Sequence, residues 1–322
     1  MDSLRLVAAT LIVSLWLVAC GEDRTAPQPT VLRFGYDNWP GYYPALIGAQ
    51  EGFFAEQGVR VECTKNDNSD ALLADFAAGR YDAVGISLGD IVNLYLVLPD
   101  LRVILVTNIS DGGDAVLVRT DIQSIEQLKG KNFGVNLGSF AKLFVVTALE
   151  THGLTPADLR LIDTDAAEIP AKLKSGELDA GHTWEPFVSE GQAGGARVLF
   201  TSAATPGLIQ DVVAVRGEVA RRYPNALRAF IKGWFKAVDH WKAHPARGNA
   251  VAAMVLNVEP TTISLQGMRL TTLADNLALF RPGETTASVY HTVRLYVNFF
   301  VGVGGLIRKP DVHQILDPQF LK

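Results

Sequence analysis

The sequence predicts an α/β fold of two lobes, and two observations support this prediction. Short apolar runs typical of strands alternate with helical patterns from about residue 31 to Arg216. Such alternation is typical of α/β proteins with largely parallel sheets. The chain has 322 residues. The roughly 290 residues that follow residue 30 exceed what one hydrophobic core usually supports, so two lobes are expected.

The N-terminal segment has the pattern of a secretory signal. Arg5 precedes an unbroken apolar run over 6–19, and a run of that length is shorter than the ~20 apolar residues of a membrane-spanning helix. The run ends in the motif LVAC at Cys20, which resembles the lipobox of bacterial lipoproteins. We therefore expect a signal peptide at 1–19, lipidation of Cys20 and a polar linker at 20–30. Cleavage at another site is the alternative.

Composition and charge narrow the class of protein. The chain is 48% apolar and 20% charged, with a net charge of −5. This mild acidity argues against nucleic-acid binding, which needs clustered Lys and Arg. Lipidation of Cys20 would leave Cys63 alone, so no internal disulfide is expected. Cys63 continues the alternation of Val59 and Val61, which predicts a half-buried strand position.

Ten short runs have the composition of strands. In chain order they are VLRFGY, VRVECT, YDAVGIS, RVILVTN, AVLVR, NFGVN, LRLID, LDAGHTW, ARVLF and DVVAVR. The segment between the first two predicts a helix with Leu46 and Ile47 on its apolar face and Gly58 at its end. Farther along, Thr155 and Asp158 have the spacing of a helix cap.

The pattern changes after Arg216 to long helices. The first of them carries apolar residues that step by three and four positions, which predicts a face packed against the core. Trp234 and Trp241 lie on this stripe and are interpreted as packing residues. Fixed repeats, heptad arrays and low-complexity tracts are absent from the sequence, so solenoid and coiled-coil architectures are excluded.

Several motifs together carry a family resemblance. Residues 121–190 contain SIEQLKGK, the helix end LETHGL, and SGELDA followed by WEP. This block resembles the second lobe of substrate-binding proteins of bacterial ABC importers, in particular the NMT1/THI5-like group. PALIGAQEGFFAEQGVRVE at 44–62 resembles the group's first helix and second strand, and QILDPQFL at 314–321 resembles its C-terminal tail.

The resemblance implies the periplasmic binding protein fold of type II, with a ligand cleft between two lobes joined by two crossover segments. We place the crossovers at 111–119 and 206–216. Lobe 1 is then expected to comprise 31–115 plus 212–322, and lobe 2 to comprise 116–211.

The resemblance also implies a binding function. The group takes up aliphatic sulfonates, taurine, nitrate and thiamine pyrimidine precursors. We expect a monomer, anchored by its lipid in the periplasm or at the cell surface, that delivers a small molecule to an ABC permease. A ligand receptor for a membrane signalling protein is an alternative that needs the same cleft.

Four strand-to-helix junctions face the expected cleft, because ligands in α/β sheets bind beyond the carboxyl ends of the strands. The junctions are YDNWPGYY, SLGD, NLGS and HTWEP. Ser87, Asp90 and Ser139 have helix capping as an alternative role, and Trp39 has packing under the first helix. The candidate ligand-binding residues are Asp37, Asn38, Trp39, Tyr42, Ser87, Asp90, Asn136, Ser139, Trp184, Glu185 and Asp211.

The charges of these candidates favour one ligand class. Four are carboxylates, and the four junction motifs contain neither Lys nor Arg. Carboxylates and aromatic faces suit an amine, an amino-pyrimidine, or a urea-like or guanidine-like group. A sulfonate, taurine or nitrate ligand is the alternative, with backbone N–H groups holding the anion.

An enzymatic role is the remaining rival. The same fold family includes a eukaryotic pyrimidine synthase with an iron site and a cysteine-rich run, and this chain has no such run. Of the six histidines, only His240 and His244 have an i, i+4 spacing, and they lie off the apolar stripe of their helix, so we interpret them as solvated surface residues rather than metal ligands. HTWE lacks the second histidine of a zinc-hydrolase helix. We therefore expect no enzyme activity, no cofactor and no metal.

Overall fold

The computed structural model describes residues 30–305 and 309–322. The predicted signal peptide, Cys20 and all of the predicted linker except Thr30 lie outside these residues. Within the described part of the chain, no helix combines the length and apolar character needed to span a bilayer.

The strands follow the ten predicted runs closely. In chain order they are β1 Thr30–Tyr36, β2 Val59–Lys65, β3 Ala83–Ser87, β4 Leu101–Ser110, β5 Asp114–Val118, β6 Asn132–Val135, β7 Arg160–Asp163, β8 Ala180–Trp184, β9 Arg197–Thr201, β10 Gln210–Arg216 and β11 Met268–Leu270. The last, β11, is a three-residue strand that the sequence patterns missed.

The helices lie between and after these strands. They are α1 Pro44–Gln50, α2 Ser69–Ala77, α3 Leu88–Leu94, α4 Ala141–Glu150, α5 Ile169–Ser175, α6 Phe187–Ala193, α7 Gly217–Arg222, α8 Pro224–Ala243, α9 Pro245–Leu256, α10 Leu273–Leu279, α11 Val289–Gly302 and α12 Val312–Ile315. The predicted helix before Gly58 is shorter than expected, because α1 ends at Gln50 and a separate 3-10 turn, Ala55–Gln57, precedes the left-handed Gly58.

Two sheets form the two lobes of the molecule. The first sheet has the strand order β11-β4-β10-β3-β1-β2, and the second has the order β7-β6-β8-β5-β9. We call the parts of the chain built on them the first lobe and the second lobe. The chain leaves the first sheet after Ser110, enters the second at Asp114, and returns at Gln210.

The prediction of largely parallel sheets is wrong, because three of the five strand pairs in the first sheet and two of the four in the second are antiparallel. The pairs β1-β2, β1-β3, β6-β7 and β6-β8 are parallel. The strands β10, β11 and β5 pair antiparallel with their neighbours, because the chain reverses direction as it passes between the lobes. Local composition cannot reveal strand direction, since both kinds of pair use the same apolar residues.

The core of the first lobe is aromatic and confirms the interpretation of the helical stripe. Phe230 on α8 stacks on Phe54 with ring centroids 5.2 Å apart. Trp234 packs edge-on against Phe34 of β1, and both Trp234 and Trp241 are buried. Cys63 is free and half-buried on β2, as predicted from the alternation.

The chain passes between the two sheets at 111–113 and 202–209, whereas the predicted crossovers 111–119 and 206–216 extend into β5 and β10, and the two connecting segments contact each other. The hydroxyl oxygens of Ser110 and Ser202 lie 2.8 Å apart. The Gly112 amide donates to the Ser202 hydroxyl at 2.7 Å, and the Gly113 amide donates to the Gly267 carbonyl at 2.7 Å. A Cβ atom on Gly113 would lie 2.7 Å from that carbonyl, so this close approach requires glycine.

Candidate ligand-binding site

A cavity of about 520 Å³, including its mouth, lies between the two lobes. The lining residues come from the ends of strands in both sheets and from the loops that follow them. They are Asp37, Trp39, Tyr42, Ser69, Ile86, Ser87, Asp90, Asp114, Asn136, Ser139, Phe140, Asp165, Ala166, Trp184, Ile209 and Asp211.

Strand direction brings residues from distant parts of the sequence to this cavity. Asp211 is the second residue of β10 and pairs with Ser87, which ends the antiparallel strand β3. Asp114 begins β5 and pairs with Trp184, which ends the antiparallel strand β8. The start of a reversed strand therefore lies at the same sheet edge as the end of a forward strand.

Asp211 is held in a buried hydrogen-bond network within the first lobe. The Tyr42 hydroxyl donates to Asp211 Oδ1 at 3.0 Å, and Asn108 Nδ2 donates to Asp211 Oδ2 at 2.7 Å. Trp39 Nε1 donates to Asn108 Oδ1 at 3.2 Å. These bonds fix Trp39 and Tyr42 relative to the carboxylate, so this wall of the cavity is organised by contacts within the first lobe.

Gly41 permits this network, because a Cβ atom there would lie 1.8 Å from Asn108 Oδ1. We expect Gly41→Ala to lower the free energy of unfolding by about 1–3 kcal/mol, the usual effect of overpacking. Urea unfolding measures this. Gly302→Ala is the control, because a Cβ atom at Gly302 meets no atom within 4 Å. Equal stability of the two variants would contradict the role of Gly41.

The second lobe contributes a different wall, which is aromatic and acidic. The rings of Phe140 and Trp184 lie 5.9 Å apart and are tilted by 38°. Behind them, His182 Nε2 and Asp114 Oδ1 lie 3.2 Å apart, and both side chains are buried. Since His182 also packs against Phe140 with ring centroids 5.8 Å apart, it fixes both an aromatic and a carboxylate of the cavity.

Burial raises the pKa values of three carboxyl groups toward neutrality. The pKa of Asp37 rises to about 8, and the charge of Asp211 adds to the effect of burial. Burial raises the pKa of Asp211 to about 7, with the charge of Asp114 as the next cause. Burial also raises the pKa of Asp90 to about 6, although hydrogen bonds from Ser87 and Phe140 oppose this shift. Burial in the cavity therefore destabilises the ionised forms of these three carboxyl groups.

Asp37 is the carboxylate best placed to meet a ligand. Its Oδ1 accepts a hydrogen bond from the Trp39 amide at 3.1 Å, which orients the group. Its Oδ2 has a long contact of 3.4 Å with the Ser69 hydroxyl. The side chain remains partly exposed toward the cavity and its mouth, so Oδ2 is available to a hydrogen-bond donor.

Basic side chains are absent from the lining of the cavity among the residues that the structure describes. The nearest one in the adjoining groove at the mouth is Lys65, which shares that groove with Asp37 and Trp184. Lys65 Nζ lies 2.9 Å from Asp67 Oδ1. The described lining of the cavity therefore has five carboxyl groups, of which Asp37 and Asp165 are partly exposed, and no Lys or Arg.

The structure brings together nine of the eleven predicted site residues. The exceptions are Asn38 and Glu185, which line a neighbouring groove instead. Asn38 Oδ1 accepts from the Tyr43 hydroxyl. Both carboxylate oxygens of Glu185 accept from Ser189 at 3.1 Å, in the first turn of α6. Glu185 therefore caps the start of α6. Ser189, four positions later in the sequence, is the residue that could have indicated this role.

Seven lining residues were missed by sequence reasoning. They are Ser69, Ile86, Asp114, Phe140, Asp165, Ala166 and Ile209. Phe140 directly follows a predicted junction, and Asp114 stands within a predicted crossover, directly after two glycines. An acidic residue at a crossover is therefore a signal that could have found Asp114.

Two α/β lobes that enclose a cavity and exchange two crossovers define the class of two-lobed solute-binding proteins. The chain belongs to the NMT1-like family, whose model matches residues 25–256.

Named relatives of this family are similar to the chain at low identity. The taurine-binding periplasmic protein of Escherichia coli (strain K12) is 24% identical over 208 residues, which are 63% of this chain and 64% of that protein. The match thus spans slightly less than two thirds of that relative. A Bacillus subtilis (strain 168) protein named for binding aliphatic sulfonates is 26% identical over 245 residues, 73% of each chain.

Solved structures share the fold. The ligand-binding component of an ABC-type import system from Staphylococcus aureus superposes with a TM-score of 0.75 at 14% identity, covering 91% of this chain and 98% of that one. The alkanesulfonate-binding protein SsuA from Xanthomonas axonopodis pv. citri, bound to MOPS, gives a TM-score of 0.72 at 17% identity, covering 91% and 99%.

The fold also occurs in an enzyme. The desulfurization enzyme DSZB superposes with a TM-score of 0.69 at 18% identity, covering 91% of this chain and 97% of that one. Fold alone therefore does not exclude catalysis. In the described residues, Cys63 does not line the cavity, and no group of three or more His, Cys, Asp or Glu residues is arranged to hold a metal ion.

Proposed function

We propose that this protein captures a small organic molecule with a cationic or strongly hydrogen-bond-donating nitrogen group and delivers it to an ABC importer. Amines, guanidine-like or urea-like groups and amino-pyrimidines belong to this class. The observation that carries the proposal is the acidic, aromatic cavity between the lobes, with five aspartates and no basic residue among its described lining.

The physical argument rests on desolvation. Buried carboxylates are unfavourable unless a cation or hydrogen-bond donors compensate them. Here the described lining contains neither Lys nor Arg. A ligand N–H group at Asp37 Oδ2 would form a charge-assisted hydrogen bond. The faces of Trp39 and Trp184 would add cation–π attraction. A nitrate or simple sulfonate would instead meet negative charges on both lobes.

A second candidate is taurine or a related aminosulfonate, which the names of the relatives favour. Taurine carries an ammonium group as well as a sulfonate. The ammonium would lie at the carboxylates, and the sulfonate would extend toward Lys65 in the groove at the mouth. A nitrate or an alkanesulfonate without an amine has no such arrangement.

Delivery to an importer is favoured by the fold of the Staphylococcus aureus import component. The two segments that connect the sheets, 111–113 and 202–209, meet at Gly112 and Ser202, and rotation of the lobes about them would open and close the cavity. Lipidation of Cys20 would hold the protein at the membrane, in the periplasm or at the cell surface. Anchoring would raise its effective concentration near a permease.

Calorimetric titration of the purified mature protein at pH 8 tests the proposal. The ligands are guanidinium, an amino-pyrimidine, urea, taurine, an alkanesulfonate and nitrate. We expect binding of at least one nitrogen-bearing compound and no heat from alkanesulfonate or nitrate. Tight binding of those two anions alone would overturn the proposal, whereas binding of taurine alone would select the second candidate.

A further inference from the structure

Asp90 of the first lobe makes a direct bond to the second lobe. Its Oδ1 accepts a hydrogen bond from the Phe140 amide at 3.0 Å, and its Oδ2 accepts from the Ser87 hydroxyl at 2.8 Å. Its side chain is buried, with the whole residue 6% exposed. A second bond, from Asn93 Nδ2 to the Gly138 carbonyl at 2.6 Å, joins the same two segments.

Phe140 is the N-cap residue directly before α4, a ten-residue helix, so its amide lies at the start of that helix. Free N–H groups at a helix start favour negative charge, and a ligand anion could otherwise lie against them. In this protein a carboxylate of the opposite lobe already accepts from that amide.

The neighbouring amides are also occupied. Across 137–142, each backbone N–H has an acceptor within the described structure. The acceptors are Asp163 Oδ1 for Leu137, Asn136 Oδ1 for Gly138, the Asn136 carbonyl for Ser139, Asp90 Oδ1 for Phe140, Ser139 Oγ for Ala141 and the Ser139 carbonyl for Lys142. A ligand anion would therefore have to displace Asp90 to reach the Phe140 amide.

We propose that Asp90 is a built-in anion that sets specificity: it occupies the place on the second lobe where an anionic ligand group would bind. The inference rests on the proposed function, because it explains how this cavity prefers nitrogen-bearing ligands over anions. Displacement would leave the Asp90 carboxylate buried without its interlobe donor, and this penalty adds to the repulsion from the other carboxylates.

Two substitutions distinguish the effect of the Asp90 charge from the effect of its hydrogen bond with the Phe140 amide. Asp90→Asn removes the charge, yet its side-chain oxygen can still accept from the Phe140 amide. Asp90→Ala removes the charge and frees the amide. We expect Asp90→Ala to bind methanesulfonate at least tenfold more tightly than either the wild type or Asp90→Asn, with a shift of the Phe140 amide NMR signal on titration.

The outcomes distinguish this inference from the proposed function. Equal methanesulfonate binding by both variants would mean that charge alone excludes anions, and no gain in Asp90→Ala would mean that the amide does not hold one. Either result overturns the inference, even where the wild type binds guanidinium as proposed. If Asp90→Ala does not fold, Asp90→Ser carries the same expectation, because its short side chain does not reach the Phe140 amide.

Discussion

Replacing Asp37 by Asn is expected to weaken the binding of a guanidinium or amine ligand at pH 8 by roughly 30- to 1000-fold. This range corresponds to about 2–4 kcal/mol, the usual effect of removing one partner of a buried charged pair. Asn keeps the shape of the side chain and can still accept from the Trp39 amide, so the loss would report the missing charge. Calorimetry on both proteins measures it.

The control for this substitution is Asp70→Asn. Asp70 is an exposed residue in the first turn of α2, and it does not line the cavity. The Asp70→Asn substitution removes the same charge from the same lobe. The affinity of this variant for the guanidinium or amine ligand is expected to stay within twofold of the wild type. An Asp37→Asn protein that binds as tightly as Asp70→Asn would remove Asp37 from the ligand contacts.

The stability of the ligand-free protein is expected to fall as the pH rises from 5 to 8. The pKa values of Asp90, Asp211 and Asp37 are raised to about 6, 7 and 8 in the folded state. Unfolded carboxyls lose their protons near pH 4. Between these limits the folded state binds more protons, so each pH increase favours unfolding until the folded pKa is passed. Urea unfolding at several pH values measures this slope.

Carboxyl groups with lowered pKa values do not change the stability of the protein between pH 5 and 8. The guanidinium groups of Arg33 and Arg221 help to lower the pKa values of Asp82 and Asp100, respectively. Such groups lose their stabilising effect only as the pH falls below their unfolded values near 4. Asp37→Asn is expected to flatten the slope between pH 7 and 8. A wild-type stability that rises over pH 5–8 would contradict the raised pKa values.

Ligand binding is expected to have the opposite pH dependence. A guanidinium ion prefers ionised carboxylates, so its affinity is expected to rise from pH 5 to 8, and binding should release protons. Calorimetry in two buffers with different heats of ionisation would detect the released protons. Affinity that is constant over this range would mean that none of the three carboxyls contacts the ligand.

The sequence predicts the strands of this protein better than it predicts their directions. All ten runs form strands, because apolar composition bounded by turn residues is a local property. The antiparallel direction of β5 and β10 depends on how the chain passes between lobes, and no local pattern records it. For this reason Asp114 escaped notice, although its position mirrors that of Asp211.

For the candidate site, the sequence likewise predicts which loops meet at the cavity but not the direction of every side chain in them. Trp39, Tyr42, Ser87, Asn136 and Trp184 follow from the rule that loops after parallel strands meet at one edge. Glu185 lies in such a loop and still points elsewhere, because Ser189 holds it in the first turn of α6. The HTWEP motif predicts that Glu185 lies in a loop at the cavity edge, but it does not predict the direction of the Glu185 side chain.

The hydrogen-bond network around Asp211 has a consequence for the order of events during capture. Trp39, Tyr42 and Asn108 are fixed by contacts within the first lobe alone, so an incoming molecule would find that face already assembled. Its arrival would then be limited by diffusion and steered by the negative field of the face, and therefore slowed by salt. Departure would instead require the lobes to separate, which breaks the interlobe bonds from the Phe140 amide to Asp90 and from Asn93 to the Gly138 carbonyl, so those bonds would help to set the residence time.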